Sequence, residues 1–325
     1  MTYIIIKALV PIFVILLLGF WAGKSKLVDN GNVSLLNIFL MDFSLPAALF
    51  LATVQTPWAG IVKQIPLIAE LTLSMWVAYA LIFVLSTKLS GKSASDSAVL
   101  SLTVGLPNYA ALGLPILGGV FGESTGVSLN VAIAISCGSV LMTPFCLMIL
   151  EAGKAKQLGE QASMSTLLPK LMYLSLKKPI VFGPLVGVLG SAILGLLGAK
   201  APELMVIALK PLGAAALASA LFLTGVILSA RKLKINMPVL FGAFIKNLAQ
   251  PFIAWGIVIL LGIDPVVGRA GILLIALPAG FFGVVFGNRF GVQSPDAEGA
   301  LLVSTAAFVV TIPLFIMLTA NMVPA

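Results

Sequence analysis

Histidine is absent from this 325-residue chain, cysteine occurs only twice, and charged side chains make up 9% of it. Soluble domains carry about 25% charged residues, so a water-soluble fold is excluded. Without histidine the chain lacks the commonest metal ligand and the one side chain that titrates unperturbed near neutrality. Metal-assisted hydrolysis has no ligand cluster to stand on. A serine hydrolase would have only Lys246 as a base for Ser136 or Ser304, so the chain does not read as an enzyme. Any proton relay must run through carboxylates, water or Tyr109. Cys137 and Cys146 share one apolar run. On a helix rising 1.5 Å per residue they stand about 13 Å apart, too far for a disulfide, and read as free core thiols.

What is present is mostly apolar: 60% of residues, with a mean hydropathy of +1.15. Charged and Gly/Pro-rich punctuation divides the chain into ten spans, each about long enough to cross a bilayer. Their limits are 3–23, 32–55, 64–87, 97–121, 126–150, 179–198, 203–228, 239–261, 266–287 and 298–320. The first exceeds a signal-peptide core and reads as an uncleaved helix. A net charge of +8 would suggest nucleic acid in a soluble protein, but here the basic residues cluster in short loops. Loops after spans 1, 3, 5, 7 and 9 hold thirteen Lys and Arg, among them Lys24, Lys92, Arg231 and Arg289. The opposite loops hold Lys63, Lys200 and Arg269. The positive-inside rule then puts both termini outside, and the longest link in the cytoplasm.

The chain repeats itself. SLPAALFLATVQ from Ser44 lies over ALASALFLTGVI from Ala216, with six identities in twelve. Leu106-Pro107 recurs as Leu277-Pro278, and Ser136, Thr143 and Pro144 match Ser304, Thr311 and Pro313 in the same order. This predicts a first five-helix repeat over 1–150, a cytoplasmic linker over 151–178 and a second repeat over 179–325. An odd number of spans per repeat makes the two halves inverted in topology.

Spans 4 and 9 carry GLPNYAALGLPILGG from Gly105 and LPAGFFGVVFG from Leu277. Proline removes a backbone donor and glycine lowers the cost of leaving helical geometry. Unpaired backbone is tolerated in a membrane only where it lines a cavity or packs in protein. Two breaks at matching places in inverted halves predict a substrate site at the bilayer midplane. Half-helix N-termini there would favour an anion.

Several segments carry a family resemblance over the whole chain. They are PIFVILLLGFWAGKSKLV, LLNIFLMDFSLPAALF, PNYAALGLPILGGVFGE, CGSVLMTPFCLMILE, ALFLTGVILSARKLKI and GFFGVVFGNRFGVQSPDAE. With these, the chain resembles the auxin efflux carrier family, and among its bacterial members the malonate carriers. The resemblance implies an all-α fold of sodium/bile-acid-symporter-like or NhaA-like architecture, with spans 4 and 9 broken and crossing. It implies a scaffold of spans 1, 2, 6 and 7 and a mobile transport unit of spans 3–5 and 8–10. It also implies that Pro107 and Asn108 contribute to the substrate site. Pro278 is the matching proline, followed by Ala279 and Gly280, so the second half lacks the amide that Asn108 supplies. The middle link is short, unlike the long polar loop of the plant branch, which argues against auxin as cargo.

Polar residues within spans complete the candidate site. Lys246 with Asn247 could hold one carboxylate of a dianion and Asn108 the other; Lys246 reads equally as a lysine that snorkels to the interface. Lys210, near Glu203, reads better as snorkelling. Asp42 and Glu70 are candidate proton carriers or members of an interhelical ion pair. Ser136, Ser139, Ser304 and Thr305 are expected to face the breaks, as donors or in backbone bonds. Tyr109 follows Asn108, and Asn288-Arg289 is a candidate cytoplasmic gate or a topology signal. No cofactor is implied beyond a coupling ion, H+ or Na+. Partners are a small carboxylate such as malonate, membrane lipid and a second copy through the scaffold. The expected function is elevator-like secondary transport of malonate; other small organic anions, and a passive channel or receptor, remain as alternatives.

Overall fold

The computed structural model describes residues 2–122, 124–157, 169–170, 173–174, 176–230 and 235–322. Half of the expected linker therefore lies outside the described residues, as do Arg231, Lys232 and Lys234. Regular structure among the described residues is helical, with one isolated backbone bridge. Seven described helices are long and apolar enough to cross a membrane.

The first four spans give α1 (Thr2–Lys24), α2 (Ser34–Val54), α3 (Ile65–Lys88) and, in span 4, two pieces, α4 (Ala94–Gly105) and α5 (Tyr109–Phe121). Next come α6 (Gly126–Gln157), α7 (Pro179–Leu196), α8 (Glu203–Ala230) and α9 (Met237–Leu261). Span 9 is again two pieces, α10 (Pro265–Ile275) and α11 (Phe282–Arg289), and α12 (Pro295–Leu318) closes the chain. Helix α6 runs on past residue 150, where the linker was expected to begin. Lys154 and Lys156 in its last turn suit the negative end of its dipole.

Three helices widen to π-helix, at Phe39–Ser44 in α2, Cys137–Met142 in α6 and Ile245–Ala249 in α9. Each stretch is followed two residues later by a proline, Pro46, Pro144 or Pro251. A proline ring clashes with the carbonyl four residues back and has no N–H to give it, so the turn before it widens.

The chain forms two compact units. One comprises Met1–Ile68, Tyr109–Ile135 and Lys177–Arg231. In it α1 and α8 approach at glycines: a Cβ on Gly19 would strike the Phe222 carbonyl, and one on Gly225 the Leu16 carbonyl. Helices α2 and α7 meet the same way, Gly183 against Pro46 and Gly187 against Phe50 and Thr53. Backbones this close gain dispersion that bulkier side chains would forbid.

The other unit comprises Ala69–Asn108, Ser136–Leu176 and Lys232–Ala325. Gly283 of α11 lies on Val99 and Thr103 of α4, and Gly242 of α9 on Val104 and Ala300. The Cys146 thiol donates to the Ala98 carbonyl at 3.5 Å, and both cysteines are free and buried. At one end of this unit Lys92, in the loop before α4, lies 2.9 Å from both Asp96 and Asp296. Asn236, the N-cap of α9, donates to Asp296 at 2.6 Å. Burial pulls the Lys92 ammonium down, but its hydrogen bonds to Asp296 and Asp96 outweigh that and hold it above lysine's ordinary value.

Candidate functional site

The interruptions of spans 4 and 9 meet within the second unit. Pro107 and Ala279 form an antiparallel bridge. Asn108 N donates to Pro278 O at 2.9 Å, and Gly280 N to Leu106 O at 2.8 Å and Thr103 O at 3.1 Å. Neither proline can donate, so neighbouring residues supply the N–H groups and the two broken segments satisfy each other's carbonyls. Gly280 is required by space: a Cβ there would lie 2.5 Å from Leu106 O.

Helix α9 supplies the polar side chains that hold this crossing. Lys246, fully buried, donates to Ile275 O at 2.7 Å and to Gln250 Oε1 at 2.6 Å. Gln250 Nε2 donates to Gly105 O at 2.8 Å. Ile275 and Gly105 end α10 and α4, so one pair of side chains caps both half-helices at their negative ends. Asn247, the next residue, turns to α12. Its Nδ2 donates to Ser304 O at 3.0 Å and Thr311 Oγ1 at 3.1 Å, and its Oδ1 accepts from Ser304 Oγ at 2.6 Å. Ser304 Oγ in turn accepts from Ala279 N at 2.9 Å.

Pro107, Asn108, Pro278, Ala279, Gly280, Lys246, Asn247 and Ser304 are thus gathered at one place. Thr305 donates to Leu301 O of its own helix, the backbone bond that is the alternative to a donor role at the breaks. Ser136 and Ser139 flank Gly138, which abuts Leu106, and both are half-buried. Tyr109 is buried at the start of α5, in the other unit. Asp42, expected at membrane depth inside the protein, is exposed on α2, as is Lys210 on α8. Arg289 ends α11, and its side chain and that of Asn288 lie outside the described part.

Two buried polar groups stand out. Asn108 is 4% exposed and its Oδ1 meets no donor among the described residues. A half-turn of its amide would present donors at the same point. Glu70 of α3 is fully buried, and neither of its oxygens meets a donor among the described residues. Its carboxyl group lies against Gly271 of α10, where any Cβ would collide with it. Glu70 O accepts from Ser74 Oγ at 2.6 Å.

Gln250 was not a sequence candidate. Its signal is a polar side chain beside a proline in mid-span, one helical turn after Lys246. No group of three or more metal-ligating Cys, Asp or Glu side chains exists among the described residues.

Long apolar helices, two spans of which are interrupted at one bridged point, define a multi-pass membrane protein. Residues 4–316 match the family described as membrane transport protein, and the chain belongs to this family, that of the auxin efflux carriers. It is similar to the uncharacterized transporter YfdV of Escherichia coli strain K12, with 26% identity over 312 residues and 95% of each chain covered. The YfdV transporters of Escherichia coli O157:H7 and Shigella flexneri match to the same extent.

Proposed function

We propose that this protein is a secondary carrier that takes up a small dicarboxylate, malonate first, across the bacterial inner membrane. The observation that carries the reading is the bridged crossing of Pro107 and Ala279 beside the buried Asn108 amide. The N-terminus of α11 adjoins it, and backbone donors at a helix start favour an anion. Burying a carboxylate costs several kcal/mol unless donors replace its water. Asn108 and the first turn of α11 supply donors, and the Lys246 ammonium supplies the nearby positive charge.

The fold behind this reading is ten membrane helices in two inverted five-helix repeats. In it spans 3–5 and 8–10 are the moving part of an elevator-like cycle, and spans 1, 2, 6 and 7 are the scaffold, which also serves a homodimer. Glu70 carries the coupled proton, because a buried carboxyl group without donors is stable only when neutral or when a cation reaches it.

Labelled malonate uptake into proteoliposomes tests the proposal, comparing wild type with Asn108→Ala and Ser304→Ala. Saturable uptake that both substitutions lower by tenfold or more, about 1.4 kcal/mol, supports the site. Transport of succinate or acetate in place of malonate would retain the carrier and change its cargo. Unsaturable flux with no counterflow would replace the carrier by a channel.

A further inference from the structure

A buried lysine is costly unless its ammonium is enclosed by acceptors. Lys246 has two: the Ile275 carbonyl, which ends α10, and Gln250 Oε1. Gln250 is itself committed through Nε2 to the Gly105 carbonyl, which ends α4. Both helix ends present the negative pole of a dipole to one point. One turn back along α10 from Ile275, the Glu70 carboxyl group lies against Gly271. A point faced by two helix C-termini and a side-chain carbonyl is the environment of a monovalent cation site. Here a side chain already fills it.

We propose that the Lys246 ammonium is a tethered cation, occupying the place where a bound monovalent cation would otherwise neutralise the two half-helix ends, so that the crossing loads no metal ion. Lys246 is then a positioning residue: it holds the ends of α4 and α10 together and leaves a positive charge beside the anion site. The inference rests on the carrier reading only for its transport arm, because cation occupancy can be read from stability alone.

The test uses the full chain, purified in detergent, and follows thermal unfolding of wild type, Lys246→Ala and Lys246→Met. Lys246→Ala opens a cavity the length of a butyl chain at the ammonium site. Its unfolding midpoint is expected to fall by several degrees and to recover with ethylammonium or propylammonium chloride. Choline chloride and 1-propanol, the one too large and the other uncharged, should leave it low. Lys246→Met fills the cavity without the charge, so it should be destabilised and gain nothing from alkylammonium. Equal recovery with 1-propanol would mean that only volume was missing, and Lys246→Met as stable as wild type would mean that the charge does nothing; either overturns the proposal. Should neither variant fold, wild type answers. Its midpoint and its substrate counterflow should be the same in sodium chloride as in N-methylglucamine chloride, and specific stabilisation by Na+ overturns the inference.

Discussion

Gln250 donates to the last carbonyl of α4, at Gly105, while accepting from Lys246 on its own helix. One amide thus joins the end of one broken helix to the cap of the other, and its loss strands partners on both sides. Gln250→Leu is expected to cost about 1–3 kcal/mol, the penalty for leaving a buried polar group unsatisfied. The measurement is the unfolding midpoint in detergent, and a midpoint equal to wild type would show that water replaces the amide.

Gly280 has no room for a methyl group, since the Leu106 carbonyl already occupies the space. Gly280→Ala has to push the two interruptions apart and should cost about 1–3 kcal/mol from overpacking alone. Transport should suffer more than stability, because the Gly280 N–H bonds to Leu106 and Thr103 pin the site itself. Gly256→Ala is the control, since a Cβ there meets nothing. Equal effects of the two substitutions would refute this steric account.

Glu70→Gln removes a titratable group that makes no side-chain hydrogen bond among the described residues. If Glu70 carries the coupled proton, the substitution leaves the unfolding midpoint at or above that of wild type. Uptake should then no longer respond to a pH gradient. A gradient response that survives in Glu70→Gln would assign coupling elsewhere.

The Lys92 cluster ties the starts of α4, α9 and α12 to one ammonium. Lys92 is held above its ordinary value, so its contribution is fully present below the ordinary lysine range and is lost only as pH rises through the raised value. Lys92→Met should therefore lose a constant amount, about 1–3 kcal/mol for charge-assisted hydrogen bonds, between about pH 6 and 9. The gap to wild type should close only in strong alkali. Unfolding midpoints across that range check it, and a gap that narrows by neutral pH would contradict the assignment to Lys92.

The membrane class, the places where spans 4 and 9 stop being helical, and the family were legible in residue order alone. A run of some twenty apolar residues has no stable place in water, and Leu-Pro followed by a polar or small residue and glycine-rich sequence marks both interruptions, although Gly113-Leu114-Pro115 stays inside α5. The partners at the break were not legible. Ser304 and Thr305 are adjacent and chemically alike, yet Ser304 holds Ala279 and Asn247 while Thr305 bonds its own helix. Asp42 and Glu70 are both carboxylates within apolar spans, yet one is exposed and the other fully buried.

Local chemistry, then, determined by itself which segments are helices, where they break and which solvent they prefer, because hydropathy, proline geometry and loop charge act over a few residues. Only the tertiary structure decided what meets at the break. The π-widened turn before Pro251 sets the directions of Lys246, Asn247 and Gln250, and the residues they reach on other helices lie 29 to 145 positions away in sequence. No rule of short range specifies such partners; they follow from which backbones pack closely enough to present their unsatisfied carbonyls.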